Sequence, residues 1–90
     1  MAKHVNIRVF GKVQGVGYRF NTKAEADKLG LAGFVRNDPD GSVYIEVEGP
    51  EKRILEFINW CKDGPEFGRV KRIETEAGKV KNLSDFKIQY

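Results

Sequence analysis

The stretch LAGFVRNDPDGSVYIEVE, residues 31–48, decides the fold because it holds two short strands on either side of a tight turn. In the turn, Pro39 fixes φ and Gly41 accepts the positive φ that a reversal needs. Residues 42–48 alternate between apolar and polar side chains, as a half-buried strand does. The inward residues are Val43, Ile45 and Val47, and the outward ones are Tyr44, Glu46 and Glu48. Residues 31–37 and 42–48 are therefore predicted to pair as a hairpin.

The segment before the hairpin supplies one strand and one helix. Residues 4–10 alternate between apolar and polar side chains, which predicts a half-buried strand. A helix is predicted over residues 19–29, with Gly30 at the position that commonly follows a helix end. The apolar residues of this helix are few, so its packing should depend on its partners. They are Phe20, Ala24, Ala26 and Leu29.

The segment after the hairpin supplies a second helix and two more strands. Pro50 is predicted at the first position of the helix, and Glu51 places a negative charge in its first turn. An apolar stripe at helical spacing follows and ends before Pro65. The stripe consists of Ile54, Phe57, Ile58 and Cys61, widened by Leu55 and Trp60. The strands are predicted over residues 69–76 and 86–90.

The predicted order is β-α-β-β-α-β with a short further strand at the C-terminus. Strands of this kind have one apolar face, so two helices should cover one side of a mainly antiparallel sheet and leave the other side in water. Residues 1–90 are thus predicted to form a single α+β domain, a ferredoxin-like two-layer α/β sandwich. This fold hosts many activities, so function has to be argued from particular residues.

Composition excludes several classes of protein. The chain has 90 residues, of which 40% are hydrophobic and 32% charged, which argues against a disordered chain and a membrane protein. Its net charge of +3 is a mild bias toward anionic partners, and its interspersed charges do not indicate nucleic acid. One cysteine excludes an internal disulfide and a multi-cysteine metal site. Without a signal peptide or an apolar run of membrane-spanning length, a cytoplasmic protein is expected.

The stretch GKVQGVGYR, residues 11–19, is the most informative for chemistry because it lies between a strand and a helix. Gly15 and Gly17 permit backbone conformations in which successive N–H groups converge on an anion. The helix start adds unpaired N–H groups, and Arg19 can bind phosphate oxygens in a bidentate manner. Residues 14–19, here called the anion nest, match one phosphoryl group in size. On spacing alone, a simple tight turn remains an alternative, and the Walker and Rossmann patterns are absent.

Asn37 is the second candidate, at the end of a predicted strand. Asparagine at that place is commonly a turn former. Alternatively, its amide carbonyl could hold a water molecule in line for attack, while its NH₂ group donates to a substrate.

Together these stretches resemble the two signature motifs of the acylphosphatase family. The motifs are Gly11-x-Val13-Gln14-Gly15-Val16-Gly17-Tyr18-Arg19 and Gly33-x-Val35-x-Asn37. The resemblance extends over the whole chain, through Asp40-Gly41, Glu48-Gly49-Pro50, Gly64-Pro65 and a closing aromatic strand.

The resemblance implies hydrolysis of the carboxyl–phosphate bond of small-molecule acylphosphates to a carboxylate and inorganic phosphate. It implies that the backbone of Gln14, Gly15, Val16, Gly17, Tyr18 and Arg19 holds the phosphoryl group. It further implies that Arg19 binds the phosphoryl oxygens and that Asn37 positions the water. Phosphate or sulfate should bind in the same place. The family uses no metal, cofactor or covalent phospho-enzyme.

Four residues depart from the pattern of some relatives. They are Gly17 for cysteine, Tyr18 for phenylalanine, Asp38 for threonine and Gln89 for arginine. Gly17 should loosen the loop, and the Tyr18 hydroxyl needs a partner. Asp38 could oppose a dianionic substrate, and Gln89 leaves open whether the C-terminus holds Arg19.

Other residues are predicted to have structural or solvated roles. Cys61 and Trp60 should pack in or beside the core, and His4 should be solvated on the polar side of its strand. Arg36, Lys12 and Lys23 are also expected in solvent, where they attract anions at long range.

Two other functions are alternatives to hydrolysis. An RNA-binding module shares the element order, but residues 42–48 present one outward aromatic beside two carboxylates, which repel RNA phosphates. The second rival is a non-catalytic domain that binds acyl- or carbamoyl-phosphate within a larger protein. No nucleic acid or membrane partner is expected, and a monomer is the expected state.

Overall fold

The structure, a computed structural model that describes residues 2–90, contains five strands and two helices. The elements are β1 (Ala2–Lys12), α1 (Tyr18–Lys28), β2 (Ala32–Asn37), β3 (Val43–Pro50), α2 (Glu51–Asp63), β4 (Arg69–Gly78) and β5 (Phe86–Gln89). The five strands form one sheet in the order β4-β1-β3-β2-β5. Every neighbouring pair of strands is antiparallel except β2 with β5, which is parallel. The predicted fold class is confirmed.

The core lies between the helices and one face of the sheet. Helix α2 packs over β1, β3 and β4, while α1 packs over β2 and β5. The inward residues of the hairpin, Val43, Ile45 and Val47, are completely buried there. Cys61 is buried in the same cluster and Trp60 packs against it, so both predictions of a packing role are confirmed. Burial raises the pKa of the Cys61 thiol to about 12, which keeps it in its unreactive protonated form.

Of the four apolar residues predicted for helix α1, Ala26 is buried and Leu29 packs against the core, but the other two are exposed. Its buried residues are Tyr18, Thr22 and Ala26, spaced four apart, whereas Phe20 and Ala24 face solvent. The predicted helix begins at residue 19 and so leaves out Tyr18, which fills the core and donates its hydroxyl hydrogen to the Cys61 carbonyl at 3.0 Å. Burial, the largest cause, therefore raises the pKa of Tyr18 well above its usual value.

The start of α2 also differs by one position from the prediction. Pro50 is the N-cap, with an extended backbone, and the helix begins at Glu51. The difference arises because Pro50 still pairs with Ala2 as the last residue of β3.

The open face of the sheet is not fully solvated, and His4 is buried with 3% of its surface exposed. Residues 79–85 connect the two edge strands across this end of the face. There the Glu48 carboxylate accepts hydrogen bonds from the backbone N–H groups of Lys81 and Leu83, the latter at 2.8 Å. The two ring nitrogens of His4 lie 2.8 Å from Glu48 and 2.9 Å from Glu46. The prediction of a solvated His4 is wrong because alternation identifies a polar face without showing which connection covers it.

Replacing Glu48 with glutamine should lower the free energy of unfolding by about 2 kcal/mol, because charge-assisted hydrogen bonds to a buried carboxylate are lost. Burial by itself would raise the pKa of Glu48, but the N–H groups of Lys81 and Leu83 together with His4 outweigh it and lower that pKa. A lowered carboxyl pKa contributes stability above the unfolded-state value, and this contribution disappears as pH falls through the folded-state value.

Urea unfolding of the wild-type chain and Glu48→Gln at neutral and acid pH measures this difference. The gap between the two proteins should narrow as the pH falls. Glu66→Gln, at an exposed carboxylate, is the control. Equal stability of Glu48→Gln and wild type at neutral pH would show that the hydrogen bonds between Glu48 and residues 79–85 do not stabilise the fold.

Candidate active site

The loop between β1 and α1 adopts the backbone conformation of an anion nest. Gly15 and Gly17 have φ of 74° and 77°, in the left-handed region that favours glycine. Within residues 2–90, none of the backbone N–H groups from Gln14 to Arg19 donates a hydrogen bond to a protein acceptor. Such converging N–H groups at the start of a helix can bind an anion.

Arg19 lies in the first turn of α1, at the edge of the nest. Its guanidinium donates to the backbone carbonyl of Gln89 at 3.3 Å and lies 4.9 Å from the centre of the Tyr90 ring. Because the acceptor is a backbone oxygen, the side chain at position 89 does not determine this contact. The C-terminal strand thus positions Arg19 even with glutamine in place of arginine.

Asn37 ends β2, and its side chain reaches the same pocket as Arg19. The pocket has a volume of about 170 Å³, and Gly15, Gly17, Arg19 and Asn37 are among its lining residues. Within residues 2–90, the Oδ1 atom of Asn37 is the one buried side-chain polar atom without a hydrogen-bond partner. Asn37 therefore lines the pocket and has an acceptor whose hydrogen-bonding capacity the described protein groups leave unused.

The side chain of Gln14 connects the nest to the hairpin turn, a role that the sequence did not suggest. Its Nε2 donates to the backbone carbonyls of Asp38 at 2.7 Å and Ser42 at 2.9 Å. These two residues bracket the turn that follows Asn37. The Gln14 side chain is therefore bonded to the turn, which leaves its backbone N–H to the nest.

The other two bulky members of the nest also have side chains in structural positions. Val16 packs against the core and Tyr18 lies within it. These side chains pack with the protein interior, so an anion in the nest would meet backbone N–H groups, as the sequence prediction requires.

Asp38 is not among the residues that line the pocket, and its carboxylate pairs with two arginines. Arg36 Nε donates to Asp38 at 2.9 Å, and Arg8 donates to its other oxygen. Hydrogen bonding from Arg36, with a further contribution from Arg8, lowers the pKa of Asp38 below its ordinary value. The Arg36 guanidinium also lies 4.5 Å from the Tyr44 ring centre. Arg36 is therefore paired as well as partly solvated, which corrects the prediction of a simply solvated residue.

The two lysines predicted to be solvated differ in their surroundings. Lys12 is exposed, as predicted. Lys23 is 40% exposed at its side chain and forms an ion pair of 2.6 Å with Asp27, one helical turn away.

Replacing Gln14 with alanine should reduce turnover of an acylphosphate about tenfold. The hydrogen bonds from the Gln14 side chain to the hairpin turn would be lost, so the nest and Asn37 would shift relative to each other. The free energy of unfolding should fall by about 1–2 kcal/mol. Steady-state kinetics and urea unfolding measure the two effects. Full turnover in a destabilised Gln14→Ala protein would assign this side chain a purely structural role.

The described part of the chain contains neither a metal-binding cluster nor a membrane-spanning helix. Among residues 2–90, no group of three or more His, Cys, Asp and Glu side chains is arranged to hold a metal ion. Over the same residues, no helix has the length and apolar character needed to cross a membrane.

Comparison with known proteins identifies the family. The family model described as acylphosphatase matches residues 5–88. This chain belongs to the acylphosphatase family. An acylphosphatase from Lactiplantibacillus plantarum is 46% identical over 85 residues, covering 93% of this chain and 94% of that protein. The crystal structure of the Bacillus subtilis acylphosphatase is 40% identical with a TM-score of 0.95, and the alignment covers 100% of both chains.

A longer protein contains a segment of the same shape. The crystal structure of full-length HypF in its phosphate- and nucleotide-bound form has 36% identity and a TM-score of 0.90. That alignment covers 100% of this chain but only 12% of HypF. The acylphosphatase fold therefore occurs both as nearly the whole of a chain and as a small part of one.

Proposed function

We propose that this chain hydrolyses the carboxyl–phosphate bond of acylphosphates, releasing a carboxylate and inorganic phosphate. The observation that carries the proposal is one pocket lined by Gly15 and Gly17 of the anion nest, by Arg19 and by Asn37, whose Oδ1 has no hydrogen-bond partner within the described residues. Membership of the acylphosphatase family supports the same reaction.

The nest and Arg19 would hold the phosphoryl group. The backbone N–H groups of residues 14–19 point to no other acceptor, and Arg19 is already oriented by Gln89 and Tyr90. Phosphoryl transfer proceeds through a loose transition state with charge on three equatorial oxygens. Fixed donors and one guanidinium stabilise that charge without reorganising during the reaction.

Asn37 would place the attacking water. Its Oδ1 can accept a hydrogen bond from that water, and its NH₂ group can donate to a phosphoryl oxygen. Since the water bonds to phosphorus as the carboxylate departs, alignment is the main requirement. Among the described residues that line the pocket, no side chain is a carboxylate or an imidazole, so we propose that a phosphoryl oxygen of the substrate accepts the proton.

The proposal needs no metal ion or other cofactor. An acylphosphate has a carboxylate leaving group, which departs without a strong general acid. The positive charge of Arg19 and the partial charges of the nest supply the electrostatic stabilisation. We further propose that residues 1–90 act as one domain, as a monomer in the cytoplasm.

Hydrolysis of benzoyl phosphate by the purified chain, with EDTA present, tests this function. Turnover that persists with EDTA is the expected result. A folded protein that turns over neither benzoyl nor acetyl phosphate would contradict it.

A second candidate function is binding of acyl- or carbamoyl-phosphate without hydrolysis. The similarity to 12% of a much longer protein, HypF, favours it, because the fold there is a small part of a chain whose structure contains bound phosphate and nucleotide. Titration with inorganic phosphate distinguishes hydrolysis from binding alone. A chain that binds phosphate but does not hydrolyse acylphosphates would be a binding domain.

A further inference from the structure

Two exposed aromatic side chains stand at the pocket. In the described chain, five large hydrophobic residues are exposed: Phe20 (71%), Leu55, Phe67 (75%), Val80 and Tyr90 (100%). Of these, Phe20 and Tyr90 line the pocket that contains Arg19 and Asn37. Exposed aromatic rings grouped at a pocket commonly mark a binding surface.

The burial of the lining residues gives the pocket a floor and a rim. Val13 and Tyr18 are buried and form the floor, whereas Phe20 and Tyr90 are exposed and form the rim. Ile88 is half-buried and lies between them in exposure. A phosphoryl group in the nest would therefore leave the rest of its molecule beside apolar side chains.

We propose that Phe20 and Tyr90 form an acyl subsite, which favours substrates with an apolar and above all an aromatic acyl group. This inference rests on the proposed hydrolysis of acylphosphates. The phosphoryl group occupies the nest, so the carboxyl–phosphate bond directs the acyl group outward to the rim. An aromatic acyl group removes the exposed rings from water and can stack on them.

The charges of the pocket support an apolar acyl group. Arg19 has the one charged side chain among the described lining residues, and the phosphoryl group would engage it. No other lining side chain there carries a charge that could pair with a second carboxylate on the acyl group. An acyl group with a second carboxylate would lose hydration at the rim without gaining a cationic side-chain partner.

Phe20 gives the cleaner test of the two aromatic residues. The Tyr90 ring also contacts the Arg19 guanidinium, so its removal would disturb phosphoryl binding as well. Phe20 belongs neither to the core nor to the residues packed against it, so its replacement should not affect folding. Phe67 is a matched control, since it is an equally exposed phenylalanine that does not line the pocket.

The experiment compares kcat/KM for benzoyl phosphate and acetyl phosphate in the wild-type chain, Phe20→Ala, Phe20→Tyr and Phe67→Ala. The benzoyl-to-acetyl ratio should fall about threefold to tenfold in Phe20→Ala, the loss expected for one aromatic contact. The ratio should stay at the wild-type value in Phe67→Ala and return toward it in Phe20→Tyr. Competitive inhibition by inorganic phosphate, which has no acyl group, reports on the nest in each variant.

The outcomes separate the subsite from the reaction. If the wild-type chain hydrolyses both substrates and Phe20→Ala keeps the wild-type ratio, the acyl subsite is wrong and the proposed function stands. An equal fall in Phe20→Ala and Phe67→Ala would also overturn the subsite. If the wild-type chain hydrolyses neither substrate, the proposed function fails, and the subsite fails with it.

Discussion

Replacing Arg19 with alanine is expected to lower turnover of benzoyl phosphate by about 10³–10⁵-fold, the range for loss of an arginine that stabilises charge in phosphoryl transfer. The guanidinium is held by the Gln89 carbonyl and the Tyr90 ring, so less side-chain entropy is lost when it binds a phosphoryl oxygen. Steady-state kinetics give the loss in kcat/KM. Competitive inhibition by inorganic phosphate should show weaker anion binding in the same variant.

Two further variants make the result specific. Arg53→Ala removes an exposed arginine from α2, outside the pocket, and should retain wild-type kinetics. Arg19→Lys keeps the charge but loses the planar fork, so its activity should lie between those of wild type and Arg19→Ala. Near-wild-type turnover by a folded Arg19→Ala protein would exclude Arg19 from the reaction.

Replacing Asn37 with alanine is expected to lower kcat by about 10²-fold or more, because the attacking water would lose its alignment. Binding of inorganic phosphate should change little, since the nest and Arg19 remain. This separation of kcat from phosphate binding distinguishes Asn37 from Arg19. Single-turnover kinetics, together with phosphate inhibition, measure the two effects.

The structure also indicates that Asn37→Ala should fold. The Oδ1 atom of Asn37 has no protein partner within the described residues, so removing it breaks no hydrogen bond of that atom. Asn59→Ala, at an exposed asparagine of α2, is the control for loss of an amide. Much weaker phosphate binding with retained turnover would show that Asn37 binds the substrate and does not position water.

The sequence predicts the sheet well wherever one face of a strand is buried. Alternation in residues 4–10 and 42–48 marks the strands that become the centre of the sheet, and the Pro39–Gly41 turn joins the hairpin. The same reasoning fails for His4. Residues 79–85, which are far from His4 in the sequence, cover it, and a local pattern of alternation does not indicate such a contact. The prediction for helix α1 does not place Phe20 in solvent, because Tyr18, which lies before the predicted helix start, is the first residue of the buried face.

The candidate site is predicted in part for similar reasons. Gly15 and Gly17 indicate left-handed backbone, and the structure has both residues in that region. Nothing local indicates that the Gln14 side chain would reach the carbonyls of Asp38 and Ser42, since that contact depends on how β1 and the hairpin pack. The pairing of Asp38 is equally hard to predict from local sequence, because one of its arginine partners, Arg8, lies on another strand.

The contact between Arg19 and Gln89 joins residues 70 positions apart, through the parallel pairing of β2 with β5. Contacts of such large sequence separation require long loops to close, which costs conformational entropy and slows folding. Partly folded chains that contain α1 and the hairpin but lack docked β5 would have the nest without an oriented Arg19. Recovery of catalysis after dilution from denaturant would then report completion of the whole sheet, in a way that helix signals in circular dichroism do not.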